Sequence, residues 1–67
     1  MERLDLLILK YLSQGLKIGE IPKQLEDDES LVVSKSSIEK RLTTIRKICG
    51  AKTPFQLAVI AKERKLI

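Results

Sequence analysis

An all-α domain of four helices is predicted by three features of this sequence. Apolar residues recur at helical spacing along the chain, glycine and proline fall where helices stop and start, and no pair of alternating runs offers a hairpin. The 67 residues suffice for one domain, expected to span positions 1–67, and not for two. A domain this small buries only about 60% of the surface its unfolded chain exposes. Most of its apolar side chains are therefore needed inside, and a deep substrate cavity has no room.

Helix one is expected from about Glu2 to Gln14, where Leu4, Leu7, Ile8, Tyr11 and Leu12 make a broad apolar face and Gly15 supplies the left-handed stop. Leu6 and Leu9 fall off that stripe, which fits either a wider packing face or a neighbouring domain. Helix two is expected over Ile18 to Leu25, with Ile18, Ile21 and Leu25 on one side. Pro22 requires it to start late, near Glu20, or to bend there. The acidic run Glu26 to Glu29 reads as a solvated loop leading into Leu31, Val32 and Val33.

The stretch from Ser34 to Gly50, SKSSIEKRLTTIRKICG, is the most informative. Ile38, Leu42, Ile45 and Cys49 fall at i, i+4, i+7 and i+11, a stripe able to dock on a core. The opposite face carries Ser36, Lys40, Thr43 and Lys47, flanked by Ser37, Glu39, Arg41, Thr44 and Arg46. Cationic side chains separated by short hydroxyls suit the major groove of DNA, where Lys and Arg meet phosphates and guanine edges and Ser and Thr reach bases or backbone. A solvated surface helix would show the same pattern. Ser34 or Ser36 can cap this helix, and Ser36 with Glu39 three residues on has the capping-box spacing. Glu39 therefore has two readings, a cap or an acceptor for a cytosine amino group. Gly50 closes the helix. Thr53, Pro54 and Gln56 then form the clearest start signal in the chain, opening a fourth helix that runs to about Lys65. Leu57, Ala58 and Ala61 lie on one side of it and Phe55, Val59 and Lys62 on another.

Charge is divided unevenly. Residues 1–33 hold four basic and seven acidic side chains, a net of −3, whereas residues 34–67 hold nine basic and two acidic, a net of +7. Such asymmetry is a footprint of nucleic-acid binding. A membrane surface is disfavoured, because the helices carry core-sized stripes of Ile, Leu and Ala, with no Trp and one Phe to anchor among headgroups. No run approaches a transmembrane length, and the N-terminus lacks a signal-peptide pattern. Catalysis is also disfavoured. With no His, one Cys and one Tyr, the chain has no ready general base near neutral pH and no ligand set for zinc. No enzyme activity, cofactor or metal is therefore expected. Lone Cys49 reads as a small buried hydrophobe, and a single thiol, which excludes an internal disulfide, fits a reducing cytoplasm.

In order and spacing, ILKYLSQGL (Ile8 to Leu16), IGEIPKQL (Ile18 to Leu25), SSIEKRLTTI (Ser36 to Ile45) and LAVIAKERKLI (Leu57 to Ile67) together resemble the LuxR-type (GerE-like) helix-turn-helix domain. The resemblance covers essentially the whole chain. It implies sequence-specific binding of double-stranded DNA as a homodimer, with the third helix, about Lys35 to Cys49, in the major groove and the fourth in the dimer contact. It also implies the cytoplasmic C-terminal output module of a bacterial transcription regulator, such as a two-component response regulator, behind a receiver or ligand-binding domain absent from this chain. Carried over by residue, the groove-facing positions fall on Glu39, Lys40 and Thr43, and positions near the backbone on Ser37, Arg41, Lys47 and Lys52. Ser36 joins them at the start of the polar face. The chain departs from the family in the longer stretch EDDESLVV between helices two and three, in Pro22, and in Glu39 and Arg41 where Lys and His are common. The target sequence is therefore not inherited. The alternative is a protein-interaction module whose basic face meets an acidic partner.

Overall fold

The computed structural model describes all 67 residues and contains four α-helices with no strand. They are α1 (Arg3–Ser13), α2 (Ile21–Glu29), α3 (Lys35–Cys49) and α4 (Pro54–Glu63), with a short 3-10 turn over Ile18–Glu20 before α2. No helix is long and apolar enough to cross a membrane.

Each helix end has a chemical cause. At the start of α1 the Asp5 carboxylate accepts the Glu2 N–H at 3.1 Å. At its end Gly15 takes φ +91°, so that the Gly15 and Leu16 N–H groups donate back to the Leu12 and Tyr11 carbonyls at 3.0 and 3.1 Å. Pro22 sits in the first turn of α2, where a missing N–H has no intrahelical partner to lose. The preceding 3-10 turn absorbs the change of direction, and its Glu20 side chain accepts the Lys17 N–H at 2.9 Å. The late start near Glu20 is thus present.

The acidic run is not a loop. Glu26 to Glu29 continue α2 by a full turn, and the connection to α3 is only Ser30 to Ser34. Two of the four carboxylates are held by α1: Asp28 accepts the Tyr11 hydroxyl at 3.2 Å, and Glu29 pairs with Arg3 at 3.0 Å. These partners offset the unfavourable placing of acids at a helix C-terminus. The helix ends at Ser30, a non-glycine residue at φ 55°, whose neighbour Leu31 donates to the Leu25 carbonyl at 3.2 Å.

Ser34, not Ser36, caps α3, its Oγ accepting the Ser37 N–H at 3.2 Å. A Ser36–Glu39 capping box is therefore absent, because Ser36 already lies inside the helix. Gly50 ends α3 at φ +74°. Thr53 Oγ1 accepts the Gln56 N–H at 3.0 Å to start α4, while Gln56 Oε1 reaches back to the Lys52 N–H at 2.8 Å. α4 stops at Glu63, two residues short of the expected end, and Lys65 adopts φ 56° so that Leu66 can donate to the Ala61 carbonyl at 2.8 Å.

The core contains the α3 stripe, Ile38, Leu42, Ile45 and Cys49, packed with Leu7, Ile8, Leu9 and Tyr11 of α1, Ile21 and Leu25 of α2, and Leu57 and Ala61 of α4. Leu9 is wholly buried and Leu6 half-buried. α1 is thus apolar over a wide arc because it is packed by α3 on one side and α4 on the other. No polar side chain is buried without a partner. α3 touches every other element, so its outward face is set by the whole core.

Candidate functional site

The outward face of α3 follows from its inward one. With Ile38, Leu42, Ile45 and Cys49 buried, 100° per residue turns Ser36, Lys40, Thr43, Thr44 and Lys47 to solvent, and all five are exposed. The Thr43 and Thr44 hydroxyls donate to the Glu39 and Lys40 carbonyls at 3.0 and 3.2 Å. That fixes their rotamers and leaves oxygen lone pairs free to accept. Lys35 and Glu39 lie one turn apart at 4.0 Å, both exposed, a pair of little energetic weight. Lys40, Lys47 and Lys52 form no ion pair within the chain.

The predicted site residues are not equivalent. Ser37 belongs partly to the cap, its N–H and hydroxyl both engaged with Ser34. Arg41 turns away from the open face toward α1, where its guanidinium donates to Asp5 Oδ1 and to Glu2 Oε2, each at 3.1 Å. The Asp5 hydrogen bond, and after it the Glu2 bond, hold this guanidinium above its already high pKa against the opposing effect of burial. Any phosphate contact by Arg41 must therefore compete with two carboxylates. Lys52 lies beyond the helix. Its position is set by Arg46, which donates to the Lys52 carbonyl at 3.1 Å and so ties the end of α3 to the turn before α4.

Three features of this face escape a reading of residue types alone. The Arg41 pairing joins residues 36 and 39 positions apart, which no local spacing signals. Arg46, flanking the polar face, braces the turn. Ile48, 68% exposed, continues the ridge of Lys40 and Thr44 at i+4 and i+8, a spacing that could have marked it. It lines an open groove of about 580 Å³ between α3 and the start of α1, together with Met1, Glu2, Asp5, Lys40 and Thr44. The groove mixes two cations with two carboxylates already bound to one of them. It is therefore no general anion pocket.

Compared with protein-family models, curated proteins and solved structures, the chain matches none.

Proposed function

We propose that this chain is a helix-turn-helix domain that binds double-stranded DNA through the outward face of α3, as the output module of a transcription regulator. The observation that carries the reading is the unpaired cationic face: Lys40 and Lys47 on one exposed helical surface, Lys52 fixed beside it, and only small hydroxyls between. A helix about 10–12 Å across with its side chains fits a major groove about 12 Å wide. Lys47 and Lys52 neutralise phosphates and set register. Lys40, Thr43 and Glu39 reach base edges, with Ser36 and Ser37 at the N-terminal end of the same face. Arg41, expected near the DNA backbone, meets no phosphate in this reading, because Asp5 and Glu2 hold its guanidinium. It braces α3 against the first turn of α1 and presents that face at a fixed angle.

A titration of the labelled domain with an arbitrary duplex at low and moderate salt tests this. Amide shifts from Ser36 to Lys47 and around Lys52 that fade with salt are expected. A silent α3 would overturn the reading. A second observation, the exposed apolar face of α4, favours a protein-interaction role in addition to DNA binding.

A further inference from the structure

Phe55 lies in the first turn of α4 and is 80% exposed, on a helix whose other side is packed into the core. Its ring stands as a ridge between two shallow apolar grooves. One, of about 320 Å³, runs along the end of α1 past Leu12, Leu16 and Ile18. The other, of about 140 Å³, lies between Leu12, Ala58 and Val59. Lys17 lines the first groove and Lys62 the second, and no carboxylate lines either. The nearby Glu20 is turned to the Lys17 N–H, and Glu63 lies one turn beyond Val59.

We infer that this face is a docking site for an acidic amphipathic helix of another protein, which straddles Phe55 with two apolar side chains and meets Lys17 and Lys62 with carboxylates. A ridge between two apolar grooves is the complement of side chains at i and i+4 on a helix, the usual way a helix fills a groove. The two lysines select the sign of the partner's flanks. A second copy fits less well. Two-fold pairing of this patch brings both lysines of one copy against both lysines of the other. A stable dimer also needs about 800 Å² per partner, nearly a fifth of the whole surface of 4504 Å², from a face with two exposed apolar side chains. The patch lies on α4 and the end of α1 and borders the α3 face, since Ile18 and Pro54 of its larger groove also line a groove with Glu39 and Thr43.

The test uses a synthetic 15-residue peptide, capped at both ends, with Leu at i, i+4 and i+7 and Glu at the outward positions. The comparator peptides replace every Leu with Ala or every Glu with Lys. Amide shifts at Leu12, Leu16, Phe55 and Val59 are expected with the acidic Leu peptide and not with either comparator. Phe55→Ala should weaken binding roughly tenfold, the scale of a central aromatic anchor. Lys17→Glu with Lys62→Glu should transfer preference to the Lys peptide. Phe55 is exposed, so its variant keeps the wild-type circular dichroism spectrum and melting temperature. Binding that survives Phe55→Ala, or shifts confined to α3, would overturn the proposal. Concentration-dependent shifts at the same residues without peptide would also overturn it, in favour of a second copy.

Discussion

Salt dependence should separate the lysines proposed to meet DNA from an arginine that braces the fold. Lys40, Lys47 and Lys52 have no carboxylate partner in the chain, whereas Arg41 is held by Asp5 and Glu2 at 3.1 Å. Each cation that displaces a condensed counterion contributes about −0.9 to the slope of log K against log salt on duplex DNA. With Lys47 and Lys52 on phosphates, Lys40 on base edges and Arg41 withheld, the slope is about −1.8, and affinity falls roughly twelvefold between about 50 and 200 mM salt. Fluorescence anisotropy with one labelled duplex across that range measures it. Lys47→Ala should bring the slope to about −0.9. Arg41→Ala should leave the slope unchanged even where affinity drops, because the change bares two carboxylates beside the site without removing a phosphate contact. Glu2→Gln with Asp5→Asn releases the guanidinium and should steepen the slope to about −2.7. The side-chain amide introduced by Asp5→Asn keeps an oxygen that can accept the backbone N–H at the start of α1. If Arg41→Ala flattens the slope as Lys47→Ala does, Arg41 leaves α1 for phosphate on binding, and its ion pairs do not withhold it.

Other outcomes follow from the helix ends and from Tyr11. Ser30 holds a left-handed conformation that costs a non-glycine residue about 1–2 kcal/mol. Ser30→Gly relieves it at the cost of a more flexible unfolded chain. The net gain should be about 0.5–1 kcal/mol in urea unfolding, and a loss of stability would refute the assigned end of α2. Thr53→Ala removes the cap of α4 and should cost about 1 kcal/mol, with amide exchange accelerating first at Gln56. Unchanged exchange there would show that Pro54 and Gln56 suffice. Burial, followed by the hydrogen bond and charge of Asp28, raises the Tyr11 pKa above its ordinary 10.0. The native state then holds the phenolic proton more tightly than the unfolded chain. This stability is fully present below pH 10.0 and is lost as pH rises through the native value. Tyr11→Phe should cost about 1 kcal/mol at neutral pH and flatten the alkaline decline, as thermal melts from neutral pH to above pH 10.0 would show. An equal decline in the variant would place the titrating group elsewhere.

What the sequence revealed and what it concealed divide along a physical line. Signals carried by neighbours in the chain were legible. Gly15 and Gly50 end α1 and α3, Thr53 and Gln56 start α4, and the four-residue stripe of α3 is buried as its spacing requires. The extension of α2 was not legible. Its acids are poor C-terminal residues, its stop is a serine in place of a glycine, and its support comes from Tyr11 and Arg3, 17 and 26 positions away. The cap of α3 was ambiguous because SKSS offers three hydroxyls. Leu31 and Val33 packing on the core moves the choice to Ser34. The cationic face was legible as a pattern, but its chemistry was not, since the pattern gives Arg41 the same standing as Lys40 and Lys47.

Arg41 also marks where folding and the proposed recognition face meet. The core side of α3 is wholly apolar and the outward side makes almost no tertiary contact, so Lys40, Thr43, Thr44 and Lys47 can be exchanged with little effect on stability. A helix arranged in this way can change its outward chemistry without changing its fold. Arg41 is the exception, since it lies on the flank of the same helix and closes it onto the first turn of α1. A substitution there alters the angle between α3 and α1 and the local charge together. Its effect on binding therefore should not add to that of Lys40→Ala, whereas Lys40→Ala and Lys52→Ala, on separate elements with no shared partner, should combine additively. Measured coupling between Lys40 and Lys52 as large as that between Lys40 and Arg41 would mean that the lysines also act through the fold, and the division of α3 into a structural and a recognition face would fail.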